Sequence, residues 1–446
     1  MPFAPQPSLE VWAEKQVRHG AAKLAQCISA TTLLKERPGF ATSVRPAKGS
    51  VLASPSSADP DYFFHWLRDS AAVMDAVRIL IHRGDNAVGW TRRFNEFVTF
   101  SLGLRNISGP SFLKDRAGFR DKMDPWFLQF VRPDAEIAAV EGERVLGEAR
   151  YNANGTFEFI RWNRPQHDGP ASRALTCMRF WDEALITGDA KIRLADLIRG
   201  DLDYAARFGG EACYDIWEED PAQHYYTTLV QHAALREGAR WAEAEGDPHY
   251  AAQLQEKARS LSALLEQFWS DAQGFIRSRL PQEGAGSEKE RDFAVILGVL
   301  HAGLKSGPHS VQAAQVRATF QKLEALFAKE YALNQGRTSG LIFGRYKGDT
   351  YVSGGAYYFS TFGAAEYYYR LAAAVPSEAA GLIANGDAIL SRTKEFIPAS
   401  GDLSEQLDQT TGEQTSAPDL SWSYACFITA WNARQTALTS AGHGDA

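Results

Sequence analysis

Apolar residues recur with a helical period along most of this chain. The clearest stretch is 65–83, where Ala72, Val73, Ala76, Val77, Leu80 and Ile81 fall on one stripe of an amphipathic helix. The same pattern predicts about twelve helical segments, near 8–29, 65–83, 88–104, 170–188, 190–208, 223–244, 248–270, 289–304, 309–331, 355–373, 378–394 and 418–436. Turn residues separate them. Arg83-Gly84-Asp85 closes the second, Gly246-Asp247-Pro248 parts the sixth from the seventh, and Gly307-Pro308 parts the eighth from the ninth. Strand signals are sparse, the best being Thr156–Ile160 and Gly274–Arg277.

The even-numbered segments share a feature that the odd ones lack. Each is opened by a stretch dense in polar and aromatic residues: Asp61–Asp69, Trp162–Pro170, Tyr214–Glu219, Glu290–Asp292, Gly344–Tyr351 and Ser404–Asp408. If successive helices alternate in direction, the even ones all begin at one end of the molecule and these stretches gather there. Six inner helices within six outer ones is the simplest arrangement with that property. An all-α fold, an (α/α)6 barrel with long loops and a few short strands at one face, is therefore predicted. Residues 106–169 contain no clear helix and several Pro or Gly breaks, among them Pro110, Pro125, Pro133, Gly142, Gly147 and Gly155. A loop this long in a compact domain is usually functional, so the segment is read as an elaborated rim of that face. No shift in composition divides the 446 residues, and one catalytic domain over 1–446 is expected.

At 45% hydrophobic the chain can bury a large core. Its net charge of −7 is spread along the sequence, with no basic stripe of the kind that binds nucleic acid. No run approaches the roughly 18–20 apolar residues of a membrane span. The N-terminal stretch MPFAPQPSLEVWAEK has neither a basic nor an apolar leader region, so a cytoplasmic location is expected. Cys27, Cys177, Cys213 and Cys426 are widely spaced, and buried thiols are expected rather than disulfides or a metal site. The 11 Trp and 16 Tyr are a supply of flat rings on which the apolar face of a sugar can stack.

Two acidic motifs sharpen the picture. Trp217-Glu218-Glu219 follows Tyr214-Asp215-Ile216, and Ser404-Glu405-Gln406-Leu407-Asp408 precedes the last helix. Two carboxylates on separate loops among aromatics suit cleavage of a glycosidic bond, one protonated to serve the leaving oxygen and one ionised to activate water or attack the sugar. Paired glutamates also occur at ordinary helix starts, where the dipole favours acids.

At these motifs the chain resembles the glucoamylases of glycoside hydrolase family 15. The resemblance rests on Pro60–Ser70, Gly147-Glu148, Arg164-Pro165-Gln166 with Asp168-Gly169-Pro170, and Asp215–Glu219. It continues through Gln231-His232, Gly344-Arg345-Tyr346 with Asp349-Thr350-Tyr351, Ser404-Glu405-Gln406 and Gly412–Ala425. It implies the (α/α)6 barrel as a bare catalytic domain, without a separate β-sandwich or starch-binding domain. It also implies a monomer that removes β-glucose from the non-reducing ends of α-glucans or malto-oligosaccharides, with no cofactor and no metal. Carried over by motif, Glu218 is the general acid and Glu405 the general base, with the carboxyls roughly 6.5–9.5 Å apart as inversion requires. Tyr62 helps to hold the water, and Arg68 and Asp69 grip the terminal glucose. Arg345 reaches substrate hydroxyls, and Trp66, Trp162, Trp217, Glu219 and Tyr357 complete the pocket. Asp292 is expected to be structural.

The chain departs from the family pattern at His65, Leu67, His167, Pro418 and Tyr357. These positions are expected on the rim or beside the glucose. They leave open a preference for α-1,6 bonds, as in an isomalto-oligosaccharide or dextran glucohydrolase. A non-catalytic sugar-sensing domain is the alternative of another class, and the presence of both acids argues against it.

Overall fold

The computed structural model describes residues 8–280 and 288–442, so that residues 1–7 of the N-terminal stretch read above lie outside it. The described residues form fourteen α-helices with short strands of two to five residues. They group into two compact units. One comprises the segments up to Ala25, Ala58–Pro60 and from Phe268 onward; the other comprises Gln26–Ser57 and Asp61–Gln267. No helix of the described residues is long and apolar enough to cross a membrane.

Each of the twelve predicted segments contains a helix, and burial sorts them into two kinds. In the second unit Leu67–Arg83, Asp168–Asp182 and Tyr225–Ala244 are buried on most sides. Ala87–Leu104, Asp189–Phe208 and Pro248–Leu265 bury a single stripe, such as Leu194, Leu197, Ile198, Asp201, Leu202 and Ala205. In the first unit Ala294–Ala302, Tyr358–Ala374 and Ser421–Gly442 are the widely buried helices, and Leu9–Cys27, Ala314–Glu330 and Ala379–Thr393 the one-sided ones. The stripe predicted for the second segment is therefore only part of its buried surface: Leu67–Arg83 packs on Ala87–Leu104 and on Asp168–Asp182. Met74 and Ile79 are buried there as well.

Boundaries differ from the pattern where side chains intervene. The fourth helix ends at Asp182, just before Ala184 takes a left-handed φ of 52°. The eighth starts only at Ala294, whose N–H is capped by Asp292 Oδ1 at 2.7 Å. The last runs on to Gly442. Of the two predicted strands, Phe275–Ile276 forms and pairs with Trp269–Ser270. Thr156–Ile160 does not form a strand. The Phe157 carbonyl accepts from the Asn152 side chain at 2.8 Å, and only an isolated bridge joins Ile160 to Val131.

The rim 106–169 is more ordered than its breaks suggest. It carries helices Gly109–Asp115 and Asp134–Ala138 and the strand Arg150–Asn152. Ile137, Val140, Val145, Phe157 and Phe159 belong to its own apolar cluster, against which Phe112 and Phe119 pack. Burying these rings offsets the entropy of ordering a segment poor in regular structure.

One ion pair ties the widely buried helix Asp168–Asp182 to its one-sided neighbour Asp189–Phe208. Arg173 Nε and Nη2 donate to the two oxygens of Asp201 at 2.8 and 2.7 Å, and both side chains are fully buried. Burial raises the Asp201 carboxyl against the opposing pull of Arg173. Asp201→Asn leaves the guanidinium buried without its counter-charge. It is expected to cost roughly 3–5 kcal/mol in denaturant unfolding, and a loss below about 1 kcal/mol would show that the pair contributes little.

Candidate active site

Glu218 lies in the second unit, on the turn of a hairpin whose strands are Cys213–Tyr214 and Pro221–Ala222. Its φ is 67°, the left-handed region that costs a non-glycine residue about 1–2 kcal/mol. The turn is fastened around Asp215. The Glu218 N–H donates to the Asp215 carbonyl at 2.9 Å, and the Asp215 N–H donates to the Asp220 carbonyl at 3.1 Å. The Asp215 Oδ1 accepts the N–H groups of Glu219 and Asp220 at 2.7 and 3.1 Å. From outside the hairpin, Asn163 Nδ2 donates to the Glu218 carbonyl at 2.6 Å. The strained residue is thus over-determined by its surroundings, as such residues at functional sites usually are.

That geometry presents the Glu218 carboxylate to three donors. Oε1 accepts from Trp66 Nε1 at 2.7 Å and from Arg68 Nη2 at 3.4 Å, and Oε2 accepts from Trp162 Nε1. Trp66 ends the strand Phe64–Trp66, which pairs with Arg150–Asn152, and Arg68 stands in the first turn of the helix that follows directly. Arg68 is fixed in turn by Gln166 Oε1 and Asp168 Oδ2, each 3.1 Å from Nη1. Its Nε lies 3.7 Å from Asp69. Burial pushes the Asp69 carboxyl up to about 6 against the pull of Arg68, and the charges of Glu218 and Asp168 push the same way. The Tyr62 ring stands 5.6 Å from that of Trp66. Trp217, buried, and Glu219, half-buried, flank Glu218 on the turn.

Trp162 is the one open ring of the group, 37% exposed. The Arg150 guanidinium supports it from 3.9 Å, a cation–π contact made stronger by desolvation. Arg150 belongs to a buried ladder of charges. Glu158 lies beside Arg150 and accepts from Arg164, and Arg164 and Arg132 both donate to Glu148, at 2.6 and 2.7 Å.

Glu405 lies in the first unit, buried in the strand Ser404–Leu407. That strand runs between Ala356–Tyr357 and Gln414–Pro418. The register shifts at this residue: between the pairs Ser404–Pro418 and Gln406–Thr415, Glu405 alone faces both Ser416 and Ala417. Such a bulge re-aims side chains. Ser416, with φ 64°, donates its hydroxyl to Glu405 Oε2. Arg345 makes a two-pronged pair with Asp349, both contacts 2.6 Å, within a cage formed by Tyr346, Tyr351 and Tyr357. Tyr357, expected to meet the sugar, has no exposed surface. Its hydroxyl accepts from Gln406 Nε2 at 2.7 Å and so braces the strand that carries Glu405.

Four of the five departures are not on the rim. His65, Leu67, His167 and Tyr357 are buried, not on a rim, while Pro418 is exposed. His65 packs on Phe100 at 5.0 Å and accepts the Val51 N–H at 3.0 Å, and burial pulls its pKa down to about 3. His167 lies flat on Phe208 and bonds the Tyr204 hydroxyl at 2.7 Å. Both histidine rings pack into the core.

Sequence reasoning missed Arg150, Asn163 and Ser416, and the part that Asp215 plays in the turn. Ser416 and Asp215 stood inside recognised motifs, but nothing in the chain marked Arg150. It missed as well that Asp215, Glu219 and Asp220 bring carboxylate oxygens within 4.8 Å of one another. One of those oxygens already accepts two backbone N–H groups.

A family model described as glycosyl hydrolases family 15 matches residues 40–102, 138–383 and 374–432, leaving 103–137 between matches. A glucoamylase of Blastobotrys adeninivorans is 28% identical, over 87% of this chain and 68% of that one. The solved glucoamylase of Hormoconis resinae superposes with a TM-score of 0.79 at 26% identity, covering 96% of this chain and 74% of its own. That of Saccharomycopsis fibuligera gives 0.79 at 23% identity, covering 97% of both. Likeness to these structures carries the (α/α)6 barrel that the helix pattern predicted.

The grip of Asp215 on its turn is directly measurable. Asp215→Ala is expected to speed hydrogen exchange at the Glu219 and Asp220 amides by about tenfold, the effect of losing roughly 1.4 kcal/mol of hydrogen bonding. Asp215→Asn keeps the accepting oxygen and should hold the exchange near the wild-type rate. Equal rates in all three proteins would mean that the turn is held by other contacts.

Proposed function

The chain belongs to glycosyl hydrolases family 15, and on that premise we propose that it is an exo-acting α-glucan hydrolase. It removes glucose from non-reducing ends and inverts the anomeric carbon, so that β-glucose is released. The observation that carries the reading is the seat of the Glu218 carboxylate, on a strained turn among three aimed donors.

In this reading Glu218 is the general acid. Oε1 accepts two donors and serves as the carbonyl oxygen. Oε2, which meets Trp162 alone, carries the proton to the glycosidic oxygen. As the bond to the leaving sugar lengthens, the proton departs and negative charge grows on the carboxylate. Trp66, Trp162 and Arg68 already point at that charge, so no reorganisation is needed when it forms. Glu405 is the general base. It takes a proton from the water that attacks the anomeric carbon from the opposite face, and Ser416 orients its carboxylate. Asp69 and Arg68 hold hydroxyls of the terminal glucose. With its carboxyl raised to about 6, Asp69 can donate or accept a hydrogen bond in mildly acidic solution. Tyr62 helps to hold the attacking water, and the open Trp162 ring gives the sugar an apolar contact. In the same reading Trp217 and Glu219 bound the sugar beside Glu218, Arg345 meets substrate hydroxyls, and Tyr357 acts through Gln406 as a positioning residue.

Glu218→Gln and Glu405→Gln are each expected to lower kcat on maltotriose by about 100-fold to 10,000-fold, the contribution of a placed acid or base, with the melting temperature little changed. Near-normal turnover in either variant would remove that residue from its role. Proton NMR of fresh hydrolysate is expected to show the β-anomer of glucose first. Initial release of α-glucose would require a retaining mechanism and overturn the assignment of Glu405 as base.

A further inference from the structure

The stretch that the family model passes over, 103–137, carries an exposed apolar surface. Trp126 is 63% exposed, Leu128 38% and Phe130 37%, all within the short 3-10 helix Pro125–Phe130. The side chains are ordered among themselves: the Trp126 ring stands 5.0 Å from both Phe127 and Phe130, and Phe127 is tucked against Phe40 at 4.9 Å. Three large apolar side chains presented together on a well-packed base usually mark a binding surface.

The surface is continuous with the candidate active site inside the same unit. The Arg161 N–H donates to the Phe130 carbonyl at 2.7 Å, and Val131 bridges Ile160, so Phe130 is fastened beside the backbone that leads into Trp162. Arg132, at the end of the inserted stretch, donates to Glu148 at 2.7 Å and joins the charge ladder that ends under the Trp162 ring. Exposed polar residues neighbour the rings along the chain: Gln129 lies between Leu128 and Phe130, and Arg161 and Asn163 flank Trp162. Flat apolar rings interleaved with hydrogen-bond donors match an oligosaccharide, whose pyranose faces are apolar and whose edges are hydroxyls.

We propose that Trp126 and Phe130 form an added binding platform for the α-glucan chain, gripping glucose units beyond the one that is released. This rests on the hydrolase reading above. In an exo-acting enzyme the released glucose fills the closed end of the site, so every further unit lies on the leaving side, where an exposed ridge beside Trp162 can meet it. The platform adds binding only for substrates long enough to reach it, and therefore favours long chains over maltose.

The test compares kcat/KM on maltoheptaose with kcat/KM on maltose, as a ratio, in the full chain. Trp126→Ser/Phe130→Ser is expected to lower the ratio about tenfold, mostly through KM on the long substrate, as loss of uniform binding predicts. Trp126→Phe, which keeps a ring, should retain most of the ratio. Val88→Ser, at an apolar residue that is 85% exposed outside the insertion, should retain all of it. An active wild-type protein whose ratio survives in the double variant would overturn the platform and leave the hydrolase reading standing. A wild-type protein that hydrolyses neither substrate would overturn that reading, and the platform with it. A wild-type dimer that the double variant converts to monomer, at an unchanged ratio, would assign the ridge to a second copy of the chain and refute the platform.

Discussion

Glu218 occupies a backbone conformation that only glycine adopts without cost, and the surrounding structure holds it there through Asp215, Asn163 and the hairpin ends. The direction of its carboxylate follows from that constraint. A residue at φ 67° projects its side chain away from the path that either a strand or a helix would give it. The indoles of Trp66 and Trp162 and the Arg68 guanidinium then have a fixed target. A flexible loop would lose this alignment.

The second unit supports this target with buried charge. Arg68 holds Gln166 and Asp168 as well as Glu218, so Glu218 is tied to the start of the helix Asp168–Asp182. Arg150 supports Trp162 from beneath, and its ladder through Glu158, Arg164 and Glu148 reaches Arg132 in the inserted stretch. Charges taken out of water are costly unless each has a well-placed partner. Arg132, Glu148, Arg164 and Glu158 meet that condition through hydrogen-bonded ion pairs, whereas Arg150 lies 3.7 Å from Glu158 and rests chiefly on ring contacts. The stretch 103–137 is accordingly tied to the supports of Glu218 and not merely to the surface.

Much of the fold could be read along the chain because helical periodicity survives burial. A helix buried on one side shows a stripe and one buried on most sides shows a broad apolar face, yet both repeat at the same period. Residues 106–169 were hard to read for the opposite reason. Their order depends on ring-to-ring packing of Phe112, Phe119, Phe157 and Phe159, contacts distant in sequence that leave no local period. The same limit explains Thr156–Ile160. Its alternation of residues resembles a strand, but the hydrogen-bond partners offered to it are mainly side chains, and no ladder forms. His65 and His167 looked like changes beside a sugar because they sit inside active-site motifs, whereas both rings turn into the core.

The order of residues alone determined the helix pattern, the polar and aromatic openings of the even helices, and the two acidic motifs that drew attention to Glu218 and Glu405. These follow from periodicity and residue chemistry, which are local properties. Only the tertiary structure decided which donors reach each oxygen of Glu218, that Tyr357 braces Gln406 instead of facing outward, that Arg150 lies under Trp162, and that the rings of Trp126 and Phe130 stand exposed. Those outcomes depend on distances between residues far apart in the chain, and such distances exist only after the core has packed.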